Sequence, residues 1–126
     1  MLAACASRIE IPDNVTVGQR PAQMTPGPAA DYEAAPQIGA IWFSSLTLER
    51  GGTWNGEITT PSNVASIEVR TDSFSFSVPR LKPGVFAFSY AIPDLPPYLR
   101  RQFVLHVVAR NAAGDTFDEP LPIEIL

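Results

Sequence analysis

Arg101–Asp115 reads RQFVLHVVARNAAGD, and the alternation inside it decides the fold. Phe103, Leu105, Val107 and Ala109 fall on one side of an extended chain and Val104, His106, Val108 and Arg110 on the other, because successive strand side chains point to opposite faces. A helix would instead repeat its apolar residues every third or fourth position. Asn111 to Asp115 then predicts a hairpin turn. The return strand is TFDEPLPIEIL at 116–126, where Pro120 and Pro122 remove two backbone donors and favour an edge position or a bulge.

Working backwards, PDLPPYLRR at 93–101 is a proline-stiffened crossing. GVFAFSYAIP at 84–93 sets Phe86, Phe88 and Tyr90 on one face. DSFSFSVPR at 72–80 sets Phe74, Phe76 and Val78 against Ser73, Ser75 and Ser77. NVASIEVRT at 63–71 opposes Ala65, Ile67 and Val69 to Ser66, Glu68 and Arg70. TWNGEITTP at 53–61 alternates Trp54, Gly56 and Ile58, and IGAIWFSSLTLERGG at 38–52 predicts one strand over Ala40 to Leu48 closed by Gly51-Gly52. Seven short strands spaced roughly 8 to 12 residues apart predict an all-β sandwich of antiparallel strands, since only two sheets packed face to face bury all these apolar faces.

The totals agree. A chain of 126 residues suits one domain, and 45% hydrophobic with 17% charged residues is ordinary globular material. Thirteen prolines and eight glycines argue against long helices. A formal charge of −4 would repel phosphate backbones, so nucleic acid is not an expected partner. One cysteine cannot make an internal disulfide, so packing alone must hold the fold. Residues 6–37, interrupted by Pro12, Pro21, Pro26, Pro28 and Pro36, read as a semi-extended tether, with a short strand possible at Ile9 to Ile11 or Val15 to Val17. The expected organisation is therefore 1–37 as N-terminus and tether and 38–126 as the folded domain.

Leu95 and Pro97 ahead of Phe103, Leu105, Val107, Ala109, Asn111 and Gly114 resemble the sixth strand of fibronectin type III and related immunoglobulin-like domains. The resemblance implies an immunoglobulin-like β-sandwich and a spacer, adhesive or accessory role on a surface protein. Where this chain has Phe103 the family usually has a tyrosine that fixes the corner through its hydroxyl; Tyr98 is the alternative source of one. At the other end, Leu2-Ala3-Ala4-Cys5 resembles the lipobox of bacterial lipoproteins. That resemblance implies lipid on Cys5, hence membrane anchoring on the extracytoplasmic side of a bacterial cell envelope.

Side chains for catalysis do not converge in the sequence. His106 is the only histidine, no G-x-S-x-G occurs, and Glu57 and Glu68 stand on polar strand faces with no cleft implied. Asp115, Asp118 and Glu119 read as solvated turn charges rather than a calcium loop. No catalytic residue, metal or cofactor is expected. Trp42, Trp54 and Tyr98 are the candidate ligand-binding residues, because exposed aromatics mark glycan or protein surfaces. The serine face of Ser73, Ser75 and Ser77 reads as a bland solvent face in the middle of a sheet, or else as a strand that accepts a partner. The expected function is a non-catalytic envelope lipoprotein module with a structural, spacer or protein-binding role. The rivals are a carbohydrate-binding or adhesion module and an accessory subunit that pairs by strand addition.

Overall fold

The alternating segments do become strands, and their apolar faces meet in a single interior. In the computed structural model, which describes residues 10–126, the strands are β1 (Val15–Val17), β2 (Ile41–Phe43), β3 (Thr47–Leu48), β4 (Thr53–Thr59) and β5 (Val64–Arg70). They continue as β6 (Ser75–Val78), β7 (Arg80–Lys82), β8 (Val85–Ala91), β9 (Gln102–Asn111) and β10 (Thr116–Ile125). Among the described residues the sole helical piece is a single 3₁₀ turn, Pro97–Leu99. The first sheet has the order β1-β2-β4-β8-β7 and the second β3-β10-β9-β5-β6.

Among the described residues the structure is all-β, but ten strands replace the expected seven, and two pairs are parallel: β1 with β2, and β3 with β10. Two expected strands each break into a pair that serves both sheets. The segment 40–48 divides at Ser44–Leu46, where the Ser45 hydroxyl accepts from Thr47 N–H at 2.9 Å and turns the chain from the first sheet into the second. The segment 72–80 divides at Pro79, which has no N–H for a ladder, so β6 stays in the second sheet and β7 joins the first.

The shared core takes Ile41, Phe43, Trp54, Ile58, Phe86 and Phe88 from the first sheet. Val64, Ile67, Val69, Phe103, Leu105, Val107, Leu121 and Ile123 come from the second. Gly56 belongs to this packing. A Cβ there would stand 2.4 Å from Phe88 Cε1 and 2.8 Å from Phe43 Cδ1, so the two rings occupy the space that a side chain would need. Ala65 departs from the expected inward face: the register shifts between Val64 and Ser66, so Val64 is buried and Ala65 exposed.

Pro120 and Pro122 lie where the alternation requires. They face His106 and Val104 on β9, while β3 pairs with β10 only at Glu124 and Ile125, so the flank beside the prolines carries no β3 ladder for them to interrupt.

Residues 14–36, expected within a tether, lie along the sheets. Asn14 Nδ2 donates to Gly39 O at 3.0 Å and to Glu119 Oε1 at 2.9 Å, joining the edges of both sheets. Arg20 crosses to Glu57 through two bonds of 2.8 and 3.0 Å. Gly27 N–H donates to Thr60 O, and Ala34 O accepts from Asn63 Nδ2 at 2.7 Å and Asn111 Nδ2 at 2.9 Å. The segment is a strap over one flank and one pole of the two sheets. Gly84 permits its approach: with φ +81, and with Thr60 O only 2.6 Å from where a Cβ would be, no other residue fits under Pro26.

Candidate functional site

The three aromatic candidates go to three different environments. Trp54, proposed as a stacking platform, is only 4% exposed; its ring packs on Phe43, Phe88 and Phe76 at centroid distances of 5.4, 5.0 and 5.8 Å, and its Nε1–H donates to Ser45 O. It offers no face to a ligand. Trp42 points to the outer side of the first sheet, opposite its neighbour Phe43, and is half-buried. Its Nε1–H donates to Gly18 O at 3.0 Å, so its polar end fastens the strap. Tyr98, on the 3₁₀ turn, is 75% exposed. Cys5 lies outside the described residues.

The corner near Phe103 is built without a tyrosine there. The Arg101 guanidinium carbon sits 3.9 Å above the Phe103 ring centroid, and Phe74 meets the same ring edge-on at 5.9 Å. Arg101 Nη2 also reaches both oxygens of Asp72, at 2.9 and 3.1 Å. The Ser73 hydroxyl and then Arg101 hold the Asp72 carboxyl below the usual carboxylate range.

The titratable groups are spread apart by strand alternation. His106 Nδ1 lies 2.9 Å from Asp118 Oδ2 on the outer face of the second sheet. Asp115 sits in the hairpin turn with Asn111, while Glu119 turns the other way to meet Asn14. Glu57 bonds Arg20 on the first sheet and Glu68 lies beside Arg70 on the second, so the imagined carboxylate pair is divided between sheets. Glu57 in turn holds the Arg20 guanidinium above its usual range, mainly through the hydrogen bond. A surface hollow lined by Glu49, Arg50, Arg100 and Leu126 has both its cations on Asp94, at 3.2 and 3.4 Å.

Of the two readings of the serine strand, a middle strand or an edge, the structure has the edge. β6 is the last strand of its sheet, not a middle one. Thr71 N–H donates to Phe74 O at 2.8 Å, which makes 71/74, 69/76 and 67/78 the hydrogen-bonded pairs with β5. The backbone N–H and C=O of Ser75 and Ser77 therefore point away from β5, to the open side. On the facing sheet β7 pairs with β8 only at Phe86 and Val85. Ala87 N–H reaches Pro79 O at 3.1 Å, and Asn55, opposite Ser89, uses its C=O toward Ser44, so Ser89 and Ala91 also point outward from β4. Both sheets thus have an open edge on one flank. Between them stand Phe76 and Tyr90, edge-on at 4.8 Å. The signal that could have found this edge was Pro79, which ends β6 and sends the chain to the other sheet.

No protein-family model and no curated protein matches the chain. Among solved structures it is similar to a crystal structure of a mutant SrpA adhesin from Streptococcus sanguinis, with 22% identity and a TM-score of 0.43 over 73% of this chain. The match spans 57% of that chain. The likeness is too slight to carry the fold or the function.

Proposed function

We propose that the chain is a non-catalytic, immunoglobulin-like β-sandwich module with a structural or protein-binding role, presented outside a bacterial cell and held there by lipid on Cys5. The observation that carries the binding role is the open flank: a filled interior beside two strand edges whose backbone groups face outward at Ser75, Ser77, Ser89 and Ala91. Edge strands in natural proteins are usually covered, bulged or charged, so a bare one is a place for a partner. The separation of Glu57, on the first sheet, from His106 and Glu68, on the outer face of the second, supports a non-catalytic reading. The sheet orders, with a segment at each flank that passes from one sheet to the other, support the immunoglobulin-like reading.

The test is expression in a bacterium behind a lipoprotein leader, with protease treatment of intact cells and mass spectrometry of the N-terminal peptide. Acyl chains on Cys5 and digestion from outside are expected. An unmodified thiol with the protein in the soluble fraction would sink the anchored reading.

A second reading rests on Tyr98 alone, whose exposed ring beside Pro96 and Pro97 is the shape of a glycan-stacking platform. Binding on a glycan array that Tyr98→Ala abolishes would favour it over the open flank.

A further inference from the structure

Deepening that reading, the bare edge of β6 is complementary to itself. Its outward backbone groups belong to Ser75 and Ser77, and a second β6 laid antiparallel beside it can be centred on Ser75, on Phe76 or on Ser77. Centred on Ser75, the pairing brings Ser77 to Ser73, whose N–H already donates to Thr71 Oγ1 at 3.1 Å. Centred on Ser77, it brings Ser75 to Pro79, which has no N–H and whose C=O accepts from Ala87. Centred on Phe76, it sets Ser75 of each copy opposite Ser77 of the other. All the free groups then meet, in four bonds about a two-fold axis.

The charged row on the outer face chooses the same register. Glu68 and Arg70 stand on β5 in register with Ser77 and Ser75, and their own contact is a loose 3.8 Å. Centring on Ser75 would set Arg70 facing Arg70 across the two serines, and centring on Ser77 would set Glu68 facing Glu68. Centring on Phe76 sets Arg70 of each copy facing Glu68 of the other, about 14 Å apart between backbones, with only short serines between them. On the inner face it brings half-buried Phe76 against Phe76 of the second copy, in the close pair that makes no ladder bond. Tyr90, 38% exposed and 4.8 Å from Phe76, flanks that contact. The two β7 segments, with exposed Arg80 and Lys82, go to opposite ends of the joint ladder, so those cations stay apart.

We propose that the partner of the open flank is a second copy of this chain, joined edge to edge through β6 with Ser75 of each copy opposite Ser77 of the other. The backbone groups of the serines supply the ladder, the two Phe76 rings cover each other, and the crossed Arg70 and Glu68 rows fix the register. This inference rests on the protein-binding reading above. Four bonds and one ring pair make a small interface, so the association is reversible, with a Kd of about 0.1–1 mM.

The test is sedimentation of the full chain from micromolar to millimolar concentration, where a reversible monomer–dimer equilibrium is expected. Ser77→Pro removes an outward donor without touching the β5 ladder, and is expected to weaken the dimer at least about tenfold while the dilute protein melts unchanged. Arg70→Glu and Glu68→Arg are each expected to weaken self-association about fivefold, because each sets like charges face to face. An equimolar mixture of the two variants is expected to pair as the unmodified chain does, a rescue that only folded proteins can give. On the unmodified chain, hydrogen exchange at the Ser75 and Ser77 amides is expected to slow as concentration rises. A dimer indifferent to Ser77→Pro, or charge variants that fail to restore pairing when mixed, would overturn the proposal. So would a chain that stays monomeric at millimolar concentration. If Ser75 and Ser77 exchange fast in that monomer, only self-pairing fails and the flank remains open to a different chain. If they exchange slowly in it, the open flank and the protein-binding reading fail as well.

Discussion

The two flanks of this molecule meet the same problem, unpaired strand edges, and meet it differently. On the β1 side the strap lies over the edge: Asn14 bonds Gly39 on one sheet and Glu119 on the other, while Ile41 N–H donates to Asn14 O and Gly18 N–H donates to Phe43 O. On the β6 side nothing among the described residues continues either ladder past Ser75, Ser77, Ser89 and Ala91. Both flanks have a segment that passes between sheets, at Ser44–Leu46 and at Pro79, so the topology is nearly symmetric. The asymmetry comes from the proline-rich segment, which is long enough to seal one flank and one pole but not both. A segment that looks like a spacer in sequence therefore decides which edge stays available.

The sharpest way to break this comparison is to put proline into each setting. Val107→Pro, in the middle of β9 between β10 and β5, removes a central ladder donor and is expected to leave the chain unfolded by circular dichroism. Ser77→Pro on the open edge should leave the thermal transition nearly unchanged; if it unfolds the protein as Val107→Pro does, Ser77 N–H is not facing solvent and the open flank is wrong.

Next in size is the interior that both flanks share. Phe43→Ala removes a fully buried ring that touches Trp54 and Phe88, and should cost about 3–5 kcal/mol in chemical denaturation, with red-shifted Trp54 emission. A loss below about 1 kcal/mol would mean the two sheets do not pack on that ring.

Smaller again is the seal itself. Asn14→Ala leaves half-buried Glu119 without its donor and frees Gly39 O, for about 1–2 kcal/mol. Hydrogen exchange should quicken at Ile41 and Gly18 while Ser75 and Ser77, already fast, stay as they were. Equal quickening on both flanks would erase the distinction between them.

The smallest effect is electrostatic and sits at the far end of β5. The folded carboxyl of Asp72 is held below its unfolded value, so its contribution is fully present above that unfolded value and is lost as pH falls through the folded one. Proton titration by nuclear magnetic resonance should find Asp72 below the ordinary carboxylate range, with Ser73→Ala and Arg101→Ala each moving it back up. A titration at the ordinary value would mean that the Arg101–Asp72 contact over Phe103 does not persist in solution.

Much of the architecture was legible in the alternation. The inward faces of β4, β8 and β9 follow Trp54-Gly56-Ile58, Phe86-Phe88 and Phe103-Leu105-Val107-Ala109 as the period of two requires. Ala65 escaped because a bulge shifts the face by one residue, and a bulge leaves no compositional trace in NVASIEVRT. The division of 40–48 escaped because Ser44 and Ser45 alternate as well as any strand residues; only the neighbours on either sheet decide where the chain changes sides. Of the candidate site residues, Trp42, Trp54 and Tyr98 look alike in sequence, yet one fastens the strap, one fills the core and one stands in solvent. Ring chemistry is local, whereas exposure depends on what the rest of the chain lays over the ring.

What the sequence determined by itself is the class of structure: period-two apolar faces, frequent prolines and a single cysteine leave paired sheets, held by packing, as the way to keep those faces from water. What only the tertiary structure decided is which edges meet and which are left bare. Alternation states which way each side chain points but is silent on the strand that lies alongside. Backbone pairing between segments far apart in the chain, the strap against Gly39 and Glu119 above all, is set by the assembled surface and not by any local run of residues.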